Sequence, residues 1–187
     1  MARKVLLHAC CAPCSIAIID ELRRSGDLTV IFYNPNIQPL AEYEKRKADV
    51  VRVFAEWGVP MVDLDRETEA WEAGVAGIAQ DKEGGPRCRA CYAQRLAKAA
   101  ALATEHGFDA FATSLSSGRQ KDSQEINAIG KAIGLAVGTT FLSVDWKKGG
   151  RLEKARAMVN ERGIYRQDYC GCLASLAAAR ARRSERD

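Results

Sequence analysis

Lys4-Val5-Leu6-Leu7-His8-Ala9-Cys10-Cys11-Ala12-Pro13-Cys14 passes from an apolar run straight into a knot of thiols. Val5-Leu6-Leu7 reads as the core of a buried strand. Pro13 suits the first turn of a helix, where its fixed φ fits and its missing N–H is not needed. Cys10, Cys11 and Cys14 therefore gather where a strand hands over to a helix N-terminus, whose partial positive charge favours thiolate over thiol.

Outward from this stretch, strands and helices alternate. The helix over Ser15–Arg24 carries Ile16, Ile19 and Leu22 at helical spacing, with Gly26 as a stop. A β-branched and aromatic run at Leu28–Tyr33 predicts a second strand, broken by the turn residues Asn34-Pro35-Asn36-Ile37-Gln38-Pro39. Further helices are expected over Ala41–Trp57, Glu67–Ile78, Cys88–His106, Ser123–Ile133 (ended by Gly134), Arg151–Arg162 and Cys172–Arg183, with fraying over Ser184–Asp187. Further strands are expected over Val59–Leu64, Phe108–Thr113 and Thr139–Val144; Asp81–Arg87 and Ser114–Asp122 read as loops. This alternation predicts one α/β domain over residues 1–187: a mostly parallel, Rossmann-like sheet with helices on both faces. Ligands in such sheets sit beyond the C-terminal ends of the strands. Cys10–Cys14, Asn34–Pro39 and Ser114–Asp122 are thereby expected on one rim, and the metal site with them.

Composition narrows the class. The chain has 187 residues, 47% hydrophobic and 28% charged, as a soluble globular protein has. No stretch approaches the roughly 18–20 uninterrupted apolar residues of a membrane span. Met1-Ala2-Arg3-Lys4 leads into the strand without the apolar region of a signal peptide, so the expected compartment is the cytoplasm. Seven cysteines in a reducing compartment point to metal or redox work rather than to disulfides. Residues 147–187 carry 11 Lys/Arg against 5 Asp/Glu, a basic portion fit either for a polyanion such as RNA or for a plain solvated surface.

The remaining thiols are Cys88 and Cys91, three apart at a helix start, and Cys170 and Cys172, flanking Gly171. Residues three apart on a helix share a face, so each C-x2-C pair offers two sulfurs to one metal. The residues leave several readings open. Zinc takes four ligands and leaves three thiols over; a thioredoxin-like pair at Cys11 and Cys14 explains two; packing accounts for any single cysteine but not for three groups. A [4Fe–4S] cluster uses four thiolates and leaves three for a further metal or for redox work.

Leu6–Ser15, Phe32-Tyr33-Asn34-Pro35-Asn36-Ile37 with Glu42-Tyr43, Arg87–Tyr92 with Arg95-Leu96, Thr113–Ser116, Lys121-Asp122 and Gly163–Cys172 together resemble the QueH-type epoxyqueuosine reductases, in order and over nearly the whole chain. Ser117-Gly118-Arg119-Gln120 departs from the family's pattern. The resemblance implies an oxidoreductase of tRNA queuosine biosynthesis, which removes the epoxide oxygen of epoxyqueuosine at the anticodon wobble position. It implies a [4Fe–4S] cluster with an adjacent mononuclear iron and no cobalamin, supplied with electrons by a donor protein. On this reading Cys10, Cys88, Cys91 and Cys170 are expected to hold the cluster, and Cys11, Cys14 and Cys172 the single iron. Lys121 and Asp122 are the expected proton donors. Asn34, Asn36, Tyr43, Arg46, Tyr165, Arg166 and Gln167 are the expected substrate contacts, with Tyr33 or Tyr43 offering a face to the base. Arg180, Arg182 and Arg183 are expected against phosphates. His8 is expected as a satisfied core residue and His106 as a helix-end charge.

Overall fold

The computed structural model describes residues 3–185, so Met1-Ala2 and the last two positions of the expected fraying end lie outside it. Five parallel strands run in the order β3-β2-β1-β4-β5. They are β1 (Lys4–His8), β2 (Asp27–Phe32), β3 (Met61–Asp63), β4 (Ala110–Thr113) and β5 (Thr140–Phe141). The helices are α1 (Ala12–Ser25), α2 (Leu40–Glu56), α3 (Thr68–Val75), α4 (Pro86–Glu105), α5 (Ser123–Val137), α6 (Arg151–Glu161) and α7 (Leu173–Ser184). The central strand pairs on both sides, His8 standing opposite Ile31 of β2 and Thr113 of β4.

Period-two alternation sorts the core into two layers. Val5, Leu7 and Ala9 face one side with Val30 and Phe32, against α1, α2 and α6. Leu6, Ile31 and Phe111 face the other, against Leu96 and Ala99 of α4 and Ile126 of α5. The sequence order reverses between β1 and β4, so the crevice above their C-terminal ends is the switch point where open α/β sheets take ligands.

Several boundaries differ from expectation by two residues or more, among them the start of β4 at Ala110 rather than Phe108, and three of them have a physical reason. The third strand is trimmed to Met61–Asp63 and the fifth to Thr140–Phe141; both lie on sheet edges, where a single neighbour supplies the ladder. Gly134 lies inside α5 rather than ending it. A Cβ there would come within 2.5 Å of the Thr139 carbonyl oxygen, so the bare backbone lets α5 settle on β5. Gly138, at φ 74°, caps the helix instead.

Asp20 is 3% exposed and ties α1 to α6, accepting from Arg23 (2.7 Å), Arg24 (2.8 Å) and Lys154 (2.7 Å). Burial alone would raise its carboxyl, but Lys154, Arg23 and Arg24 outweigh that and lower it from 3.8 to about 2. The unfolded chain therefore binds the proton more readily. The stability is present above about pH 4 and is lost as pH falls through about 2. With screening by the solvent around Arg24 and Lys154 allowed for, it amounts to about 1–2 kcal/mol. Denaturant titrations of Asp20→Asn and the parent chain should differ by that amount at pH 7 and converge toward pH 2.

Candidate functional site

Three helices start at the rim, each with cysteines in or before its first turn. Cys11 is the residue before α1 and Cys14 lies in that helix; Cys88 and Cys91 occupy the start of α4; Cys172 immediately precedes α7. Their positive dipole ends converge on the thiols. All seven cysteines are free.

The sulfurs form two groups, divided differently from the expected ligand sets. Cys10 stands with Cys11 and Cys14, their three Sγ atoms within 4.8 Å of one another. Cys10 and Cys11 are 3.8 Å apart, close to the edge of a tetrahedron whose metal–sulfur bonds are about 2.3 Å. Cys172 joins Cys88, Cys91 and Cys170 around a small enclosed cavity behind the rim. Cys170 belongs to both neighbourhoods, because it also lines the open cleft of about 260 Å³ bordered by Cys10, Cys11 and Cys14.

Burial and the neighbouring sulfurs pull five of these thiols in different directions. Hydrogen bonds from Cys11 and Cys14, Arg95's charge and the Ser114 hydroxyl overcome burial and hold Cys10 well below the usual thiol range. Burial and the neighbouring Cys10 push Cys11 up, and the Cys10 contact raises Cys14. Burial raises Cys91 and Cys170, opposed by Arg95 and by Lys121 respectively. Three thiols packed together cannot all ionise without a cation among them.

Arg95 is the cation the wall already holds. It is 2% exposed, reaches Cys91 Sγ at 4.0 Å, donates to Asn34 Oδ1 and has no carboxylate partner among the described residues. It also lines the open cleft. A buried guanidinium without a carboxylate is costly unless thiolates answer it. Unpaired buried donors point the same way: Trp71 Nε1, Arg87 Nε and Arg95 Nε belong to residues bordering one or other thiol group. The donor set, the metal-sized triad spacing and these unpaired N–H groups fit thiolate-ligated metal. Sequence reading left Arg95, Arg87 and Trp71 without a role. Arg95 lies four and seven residues beyond Cys91 and Cys88, on the same helix face, and a cation on a buried face was the available signal.

The other expected residues divide sharply. Gln167 donates from Nε2 to Cys11 Sγ at 2.9 Å and lies 3.7 Å from Cys14 Sγ. Lys121 lines the cleft, paired with Glu83 at 2.9 Å; burial would lower it, but Cys170, Tyr92 and Glu83 raise it, so its ammonium persists. Asn36 borders the enclosed cavity. Arg182 and Arg166 line different cavities of the rim.

Several residues serve the framework instead. Asp122 caps α5, accepting from the backbone N–H groups of Gln124 (2.8 Å) and Glu125 (3.2 Å), and lines neither thiol cavity. Tyr43 is 4% exposed and packs on Phe32 in the core. Tyr33 donates to Glu67 at 2.6 Å, away from the cleft; Tyr169 is the aromatic that lines it. Asn34 donates to the Ala9 carbonyl at 3.0 Å. Arg46 does line the open cleft, and there it pairs with Glu42 and donates to the carbonyls of Cys170 (2.9 Å) and Tyr169 (3.1 Å), bracing the cysteine loop. Tyr165 donates to Glu42 at 3.1 Å. Arg183 pairs with Asp168, and Arg180 lines no cavity described above. His8 is fully buried between Thr113 Oγ1 (2.8 Å) and the Tyr33 carbonyl (3.0 Å), which makes it a satisfied core residue. His106 closes α4.

Gly171 explains how the last thiols arrive. At φ 145° it takes a backbone shape other residues rarely adopt, and a Cβ would meet Asn36 Nδ2 at 2.8 Å. The Gln38 N–H donates to its carbonyl at 2.9 Å, locking the cysteine loop to the loop after β2.

Fold and site together define a parallel α/β protein with a seven-thiol centre at the switch point of its sheet. Residues 5–178 match the family model of the epoxyqueuosine reductase QueH. The chain belongs to that family. It is 39% identical over 175 residues to the epoxyqueuosine reductase QueH of Histophilus somni (strain 129Pt), covering 92% of this chain and 72% of that protein. The Thermotoga maritima protein of the same name is 36% identical over 184 residues, covering 97% and 94%. Among solved structures, the U34-tRNA thiolase NcsA from Methanococcus maripaludis with its [4Fe-4S] cluster shares the fold, with a TM-score of 0.59 and 12% identity over 99% of this chain and 65% of that one. No helix among the described residues is long and apolar enough to cross a membrane.

Proposed function

We propose that this protein is an epoxyqueuosine reductase acting on the wobble nucleotide of tRNA anticodons, without cobalamin. The reaction converts the epoxide, two electrons and two protons into the alkene of queuosine and water. The observation that carries this reading is the open cleft where Cys10, Cys11 and Cys14 meet Lys121, Gln167 and Cys170, with four thiols grouped behind it. Cys88, Cys91, Cys170 and Cys172 would hold a [4Fe–4S] cluster, and Cys10, Cys11 and Cys14 a single iron. When bound, these groups supply electrons one at a time and a Lewis-acid position for the epoxide oxygen.

The chain's own residues do the rest. Lys121 Nζ keeps a proton and a positive charge inside the cleft, where a leaving oxygen needs both. Gln167 orients the Cys11 and Cys14 sulfurs through its amide N–H, while its carbonyl oxygen is buried without a partner. Tyr169 offers the cleft an aromatic face for an unstacked base. The electron donor is a separate protein, and free thiols of this number suit the reducing cytoplasm.

Anaerobic reconstitution with iron and sulfide, followed by incubation with a reductant and epoxyqueuosine-containing tRNA, tests the reading. Brown protein that converts the nucleoside, seen by mass analysis, is expected. A colourless zinc protein that binds tRNA without converting it, or thiol–disulfide exchange that persists after chelation, would replace the reading by a binding module or a dithiol oxidoreductase.

A further inference from the structure

A second cavity of about 260 Å³ lies on the far side of the wall that bounds the thiol cleft. Its floor is apolar, built from Ile18 of α1, Trp146 and Val159 of α6. Its rim carries Arg119, Arg156 and Arg166. A fourth arginine, Arg151, is neutralised by both carboxylate oxygens of Glu21, at 2.7 and 2.8 Å. The other three have no carboxylate partner among the described residues, and Arg166 makes one long bond, 3.4 Å, to the Arg156 carbonyl. Three guanidiniums of one sign thus face one hollow without an anion. Their planar forks match the oxygens of a phosphate.

The two cavities share Cys14, Gly118, Arg119 and Gln167 as a common wall. A chain-like substrate with one unit in the thiol cleft therefore runs directly past the arginines. We infer that the second cavity receives the nucleotide adjoining the one that enters the thiol cleft, its phosphodiester on Arg119, Arg156 and Arg166 and its base against the apolar floor. This rests on the reading of RNA as the substrate.

Arg119 belongs to Ser117–Gln120, the stretch that departs from the family's pattern. Ser117 Oγ donates to the Cys14 carbonyl at 2.8 Å, fastening the turn to the cysteine helix. A Cβ on Gly118 would lie 2.7 Å from Lys121 Cγ, so the bare glycine lets the turn fold back over the cleft. The departure sets a cation on the border of both cavities. The C-terminal helix, where phosphate contacts were expected, has Arg183 already engaged by Asp168.

Binding of a synthetic anticodon stem-loop RNA, followed by fluorescence anisotropy over a salt series, tests the inference. Arg156→Gln/Arg166→Gln should weaken binding about tenfold or more near 0.1 M salt and flatten the salt slope by roughly one to two. Lys131→Gln/Lys148→Gln, an equal loss of charge at exposed positions lining neither cavity, should change each far less. A double arginine variant equal to the parent in affinity and slope overturns the inference, and leaves the reductase reading intact if the parent converts its substrate. Loss of RNA binding in that variant, with a parent that never converts epoxyqueuosine, supports the arginine site and sinks the reductase reading. Inorganic phosphate or GMP binding as tightly as the stem-loop overturns the RNA assignment.

Discussion

Cys88→Ala should strip the reconstituted protein of its visible iron–sulfur absorption, whereas Cys11→Ala should keep that absorption and lose one iron per chain; both variants should fall to background in epoxide removal. The split follows from the two sulfur groups. Cys88 borders the enclosed cavity with Cys91, Cys170 and Cys172, and Cys11 stands in the triad of the open cleft. Ala at position 88 leaves three sulfurs for a cluster that takes four. Ala at position 11 leaves the enclosed set untouched. Iron and sulfide analysis beside the absorption spectrum decides it. A spectrum lost equally in both variants would make Cys11 a cluster ligand, against this grouping and against the sequence-based ligand sets alike.

Arg95→Met is expected to act in opposite directions on the empty and the loaded protein. The guanidinium stands 4.0 Å from Cys91 Sγ, and a charge pair at that distance is worth about 4 kcal/mol at an effective dielectric near 20. Losing it should weaken retention of metal by up to about three orders of magnitude. Without metal, the same change removes a buried cation with no carboxylate partner, so the empty chain should be at least as stable. Chelator competition measures the first effect and thermal unfolding of the metal-free protein the second. A variant that destabilises the empty chain and leaves metal retention unchanged would make Arg95 a packing residue.

The parallel sheet and its working rim were legible because the first strand alternates cleanly, with Val5 and Leu7 to one layer and Leu6 to the other. Helices were legible where a proline or a cysteine pair marked them, although α1 and α4 start two to three residues earlier than expected, at Ala12 and Pro86. The sorting of the thiols was not. Spacing pairs Cys88 with Cys91, yet which further sulfur joins them depends on Gly171 packing against Asn36, a contact across 135 positions of chain. Asp122 looked like chemistry because acids near a cysteine rim suggest proton transfer, and the structure spends it on a helix cap. Gly134 looked like a helix end and is a close approach between α5 and the edge strand. In each case the deciding partner is distant in sequence.

The order of the chain has a consequence for how the centre is built. Cys10, Cys11 and Cys14 follow the first strand, which both its neighbours later clamp. Cys170 and Cys172 come after every strand, and Arg46 reaches forward 124 positions to hold them. A chain emerging from the ribosome thus carries a finished sheet and three grouped thiols before it owns the fourth wall of the inner cavity. The Cys170–Cys172 loop is thus the last of the thiol-bearing segments along the chain, and the one whose place depends most on contacts made far back in sequence.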